Sequence, residues 1–191
     1  MSKISKENSS ADWMRYKAGV TLIELLVTIA IVAILATLAV PSFTQIIKDN
    51  RLATATNELV ATLHFARMEA IRQGKRVTIC KSSNGQDCCR DDPSCDASKG
   101  WEQGWIVFVD EDNSGTRESG ESLLRVREAL EGTTKITGNH NVKNYISFLP
   151  TGESPTNGTL TVCDDRTGAY GRQIVISPTG RVRLVDKVSC P

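Results

Sequence analysis

Arg181 and Arg183 stand two apart in Gly180-Arg-Val-Arg183. In a strand that spacing puts both guanidinium groups on one face, roughly 6.5–7 Å apart. Planar, paired donors of this kind suit phosphate oxygens. Lys187 follows, and Arg166 and Arg172 lie upstream on segments that are candidates to fold near the same strand. Val182 and Leu184 are expected to face the other way, toward a core. The competing reading is a solvated strand face whose arginines pair with local acids such as Asp186.

A second group could hold a metal. Asp110, Asp112, Ser114, Gly115 and Glu121 fall at positions 1, 3, 5, 6 and 12 of the calcium-loop spacing. Their context points elsewhere. The preceding run reads as a strand rather than a helix, and Arg117 adds positive charge inside the loop. A hairpin turn rich in Asp, Asn and Gly accounts for the same residues through backbone needs. The expectation is therefore a turn, with no metal and no cofactor. A third group is six cysteines: Cys80, Cys88, Cys89, Cys95, Cys163 and Cys190. Zinc is the rival use for them, but no Cys-x-x-Cys pair occurs. His64 and His140 have no Ser or Cys nearby that reads as a nucleophile, and no Gly-rich phosphate loop is present, so no enzyme and no small-molecule substrate is expected.

The remaining chemical group is a single carboxylate, Glu24, and the element around it explains its interest. Residues 20–41 form an apolar run in which Glu24 is the one charge. About 20 helical residues at about 1.5 Å each cross about 30 Å of hydrocarbon. A carboxylate at the bilayer centre costs roughly 2.5–3.5 kcal/mol on insertion scales, so such a group calls for a partner. Before the run lies a polar leader carrying Lys3, Lys6, Arg15 and Lys17 against Glu7 and Asp12. Lys and Arg stay cytoplasmic, which sends the rest of the chain outward. A secretory signal is cut after its apolar stretch. Here the small pair Ala18-Gly19 precedes it, so a cut there keeps the helix and makes Val20 the first residue.

This segment resembles the class III signal of type IV pilins and type II secretion pseudopilins. In that family a prepilin peptidase cuts after the glycine and methylates the new amine. The family's glutamate is the fifth mature residue and its helix-bending proline the twenty-second; Glu24 and Pro41 hold those places counted from Val20. The family usually begins with Phe, and Val20 departs from that. The resemblance implies cleavage between Gly19 and Val20, N-methylation at Val20, and assembly roles for Glu24 and Pro41. It also implies a mechanism, in which the Glu24 carboxylate meets the terminal amine of a neighbouring subunit and sets axial register.

Loss of a leader at 1–19 would remove four basic and two acidic residues, leaving a nearly neutral chain. That argues against a general basic surface for nucleic acid, so any such contact needs a local patch. Beyond Pro41, Leu52, Leu59, Leu63, Ala66 and Ala70 recur on one helical face, and Gly74 suits a C-cap. The spacing predicts a helix over 20–74, membrane-spanning at 20–41 and bent near Pro41. From 75 to 191 short alternating runs separated by Gly, Asn, Asp, Ser and Pro predict a β-rich head. The expected runs are 76–80, 105–110, 123–127, 145–148, 159–163, 173–176 and 181–185. The fold class is α+β, a type IV pilin-like fold with about seven strands in two sheets.

The head sharpens the resemblance. Trp101-Glu-Gln-Gly-Trp-Ile-Val-Phe-Val-Asp110 and Gly168-Ala-Tyr-Gly-Arg-Gln-Ile-Val-Ile-Ser-Pro-Thr-Gly-Arg181 are similar to the GspH/FimT branch of minor pilins and pseudopilins. Trp101 and Trp105 themselves read as packing residues. The branch implies a bridge between Cys163 and Cys190 that staples the tail. The other four cysteines allow three pairings. Gly-Arg-x-Arg at 180–183 resembles the tail of FimT-type minor pilins implicated in DNA uptake during natural transformation. Arg181, Arg183, Lys187 and Arg172 are the candidate DNA contacts. The resemblance thus implies a pilus subunit in the bacterial inner membrane, head in the periplasm, later in the pilus. Its partners would be other pilins, the prepilin peptidase and possible DNA. A subunit of a type II protein secretion system is the rival.

Overall fold

The computed structural model describes residues 19–90 and 92–190, with the Leu38 and Pro41 side chains left out. Residues 1–18 of the expected leader, 1–19, lie outside the described residues, and so does the Pro41 side chain on which the expected bend rests. One helix, α1, spans Leu22–Gln73. Eight strands follow: β1 Val77–Lys81, β2 Trp105–Val109, β3 Leu123–Arg127, β4 Lys135–Gly138, β5 Tyr145–Phe148, β6 Gly158–Cys163, β7 Gly168–Ile176 and β8 Val182–Cys190. They form two antiparallel sheets of order β3-β2-β1-β5 and β4-β6-β7-β8. The chain divides into a unit ending at Phe43 and a second from Thr44 onward.

In the first unit, α1 is long and apolar enough to cross a membrane. Its described Val, Leu and Ile side chains stand outward, from Leu22 and Ile23 to Leu35 and Val40. The Thr28 and Thr37 hydroxyls donate to the carbonyls of Leu25 and Ile34, so neither leaves a polar group unsatisfied. Thr21 caps the helix, its Oγ1 accepting from the Glu24 amide at 3.3 Å.

In the second unit, Leu52, Leu59, Leu63, Ala66 and Ala70 are all buried, as their spacing requires. They share one core with Val77, Ile79, Trp105, Val107, Ile146 and Phe148 of the first sheet and Ile136, Leu160, Val162, Ile174 and Ile176 of the second. The two tryptophans are fully buried with their N–H groups used: Trp105 Nε1 donates to Thr62 Oγ1 and Trp101 Nε1 to the Val142 carbonyl. The helix stops at Gly74, whose φ of +63° is the left-handed geometry of a C-cap.

The strands β1 and β2 are buried on both faces. Their second face carries Cys80, Ile106 and Phe108, which pack with Cys88 and Tyr145 in a smaller core. β4 adds one strand to the seven expected. It contains a single buried apolar residue, Ile136, and ends in glycine, so it carries no alternation to read. Tertiary bonds hold it instead. It pairs with β6, and the Glu102 carboxylate accepts from the Ile136 amide at 2.9 Å.

Candidate functional site

The arginines near the C-terminus divide by sheet register. Across β7 and β8, Arg172 faces Asp186, Ile174 faces Leu184 and Ile176 faces Val182, all on one side. Val175 and Arg183 share the other. Arg172 therefore does not join Arg183. It lies on the opposite face, with its Nε 3.4 Å from Asp186 Oδ1. Arg166 is also occupied. It reaches Asp164 at 2.7 Å and Asp49 of α1 at 2.8 Å, and stacks over the Tyr170 ring. Hydrogen bonds to Asp164 push the Arg166 pKa up. Burial alone would raise the Asp164 carboxyl, but the bonds from Arg166 outweigh it and hold it below its usual value.

Arg181 and Arg183 are exposed and form no ion pair among the described residues. Arg183 lies at the start of β8, an edge strand, and Arg181 directly precedes it; exposed cations there also discourage edge-to-edge pairing. The preceding turn fixes their place. Gly180 has φ +73°, and a Cβ there would strike the Gly152 carbonyl, so only glycine fits. Arg67 of α1 donates to the carbonyls of Gly152 and Thr179, at 2.8 and 3.2 Å, and pins both turns to the helix. Lys187 is the extra residue of a bulge in β8, with φ +61°, and so falls out of the alternation that sequence spacing assumes. Val182 and Leu184 lie on the side of the buried Ile174 and Ile176, as their spacing implies. Leu184 is nonetheless 38% exposed, because it lies on the outermost strand of its sheet.

All six cysteines are in disulfides: Cys80–Cys88, Cys89–Cys95 and Cys163–Cys190. No thiolate is left for zinc. Cys163–Cys190 joins β6 to the end of β8. Cys80–Cys88 folds the segment after β1 back over the second face of the first sheet.

The loop between β2 and β3 gathers one carboxylate oxygen each from Asp110, Asp112 and Glu121 within 4.8 Å of one another. Much of it serves backbone needs, as the hairpin reading requires. Asp112 Oδ1 accepts from the Ser114 amide, which holds the Asp112 carboxyl below its usual pKa. Glu121 accepts from the amides of Glu111 and Glu118. Sequence reading missed a buried polar cluster beneath this loop. Thr78 Oγ1 lies 2.6 Å from Asp110 Oδ2 and 2.8 Å from Ser147 Oγ, and Arg76 Nε lies 3.2 Å from Asp110 Oδ2. Thr78 within the apolar Val77–Ile79 run was the available signal for a polar group facing inward.

The family called "Type II transport protein GspH" matches residues 55–180. The chain belongs to the GspH family. The "Prokaryotic N-terminal methylation motif" matches residues 14–40, over the start of the GspH-family chain's helix. Its fold is similar to the crystal structure of the type IV minor pilin FimU of Pseudomonas aeruginosa, at TM-score 0.56 and 26% identity, covering 74% of this chain and 93% of that one. A Pseudomonas aeruginosa fimbrial protein is 24% identical over 93% of this chain and 99% of its own length. Pilin-like protein PilA1 of Thermus thermophilus is 29% identical over 88% and 98%. Family and fold are those of structural pilins and pseudopilins.

Proposed function

We propose that this chain is a minor pilin of a type IV pilus, released from its leader between Gly19 and Val20 and methylated at Val20. Before assembly its apolar helix lies in the inner membrane and its head in the periplasm. The observation that carries the reading is Glu24, the one charged residue from Val20 to Ile47, on an outward-facing apolar helix. A lone carboxylate there needs a countercharge, and the amine of an adjacent subunit supplies one while fixing register. Arg181 and Arg183 add a weak, sequence-independent grip on DNA. Both are exposed and unpaired among the described residues, and repeated copies along a filament would add avidity.

The second reading is a pseudopilin of type II secretion, favoured by the name of the matching family, a type II transport protein. One complementation experiment tests both. In a host lacking this chain, the wild type restores twitching and appears in sheared pili. Glu24→Val reaches the membrane in equal amount but is depleted from pili at least about tenfold. Normal incorporation of that variant contradicts the proposed pairing. A deletion defect confined to protein secretion selects the second reading.

A further inference from the structure

We propose that the loop between β2 and β3 binds a calcium ion through Asp110, Asp112 and Glu121. The hairpin reading accounts for Asp112 and Glu121, whose oxygens take loop amides. It does not account for Asp110. The Asp110 side chain is fully buried. Its Oδ2 is used by Thr78 and Arg76, but its buried Oδ1 has no hydrogen-bond partner among the described residues. Buried carboxylate oxygens without partners are rare and costly. This one belongs to a residue whose carboxylate stands within 4.8 Å of two others.

The chemistry of the group selects the ion. All its donors are carboxylate oxygens, which suit hard cations and not the metals that prefer imidazole or thiolate. Calcium takes oxygen ligands at 2.3–2.6 Å in flexible geometry, which allows oxygens on opposite sides of the ion to stand about 5 Å apart. Magnesium demands a tighter octahedron. The charge that sequence spacing put against calcium is directed elsewhere. The Arg117 guanidinium donates to the carbonyls of Gln86 and Glu121, at 3.1 Å each. Arg76 offsets one of three negative charges, which points to a dissociation constant of about 0.1–1 mM, the range of extracellular modules. The ion would brace this loop beside Tyr145, whose ring lies against Gly115.

The test is thermal melting of the full oxidised chain in detergent after chelation. Calcium at about ten times its dissociation constant raises the midpoint by about 3 °C. Equal magnesium gives a clearly smaller rise. Asp112→Asn changes an exposed side chain and still folds, but needs about tenfold more calcium; Glu121→Gln gives a second check. No rise at about 10 mM calcium, an equal rise with magnesium, or a rise unchanged in Asp112→Asn overturns the assignment.

Discussion

Arginines at four positions of one small region stand in two different settings, and the neighbours decide which. Arg166 and Arg172 are spent on Asp164, Asp49 and Asp186. Arg181 and Arg183 form no ion pair among the described residues, which leaves them open to the proposed DNA contact. If they hold phosphates, Arg181→Gln with Arg183→Gln removes two contacts, and the log-log salt slope of DNA binding falls by about 1.8. Gel shifts of the oxidised chain at low and moderate salt measure this. Arg172→Gln should leave the shift unchanged, and a double variant that binds as the wild type does would contradict the assignment. The place of Arg183 at the start of β8 was legible from the alternating run, but Arg181 falls in the turn before the strand, where the i, i+2 rule does not apply. The exclusion of Arg172 was not legible, since it depends on the register between β7 and β8. The displacement of Lys187 depends on a bulge that no local spacing announces.

Elements with a strong internal pattern were readable, and those made by their partners were not. The helix face from Leu52 to Ala70 is written in its own periodicity. β1 and β2 were readable as apolar runs, but not the reason both their faces are buried. That reason is the disulfide-tied segment after Cys80, which packs Cys88 onto Ile106 and Phe108. The four cysteines from 80 to 95 allow three pairings on paper, and only the end point of β1 beside the loop selects one. The bridge at the other end carries a measurable load. Cys163–Cys190 closes a separation of 27 residues, for which chain entropy gives about 3–4 kcal/mol. Replacing both with serine should lower stability by about that amount in a denaturant titration with the other bridges intact. A loss below about 1 kcal/mol would mean that strand pairing alone holds β8.

At the scale of the whole molecule, a helix with exposed apolar side chains over its first half continues into the core of a disulfide-tied head. Its first half has nothing to bury those side chains within the described residues. A membrane, and later the helices of other subunits, would supply that burial. This makes Glu24 and the proposed chain end at Val20, four residues before it, the centre of the account. The charge pattern, the small pair at 18–19 and the position of Pro41 were all legible in the sequence, because a membrane imposes length and charge rules that need no tertiary information. The most direct measurement is the intact mass of the protein purified from its host, with fragmentation of its N-terminus. The account predicts a chain that begins at Val20 and carries one methyl group on its amine. A chain that still begins at Met1, or one clipped beyond Pro41, would contradict it.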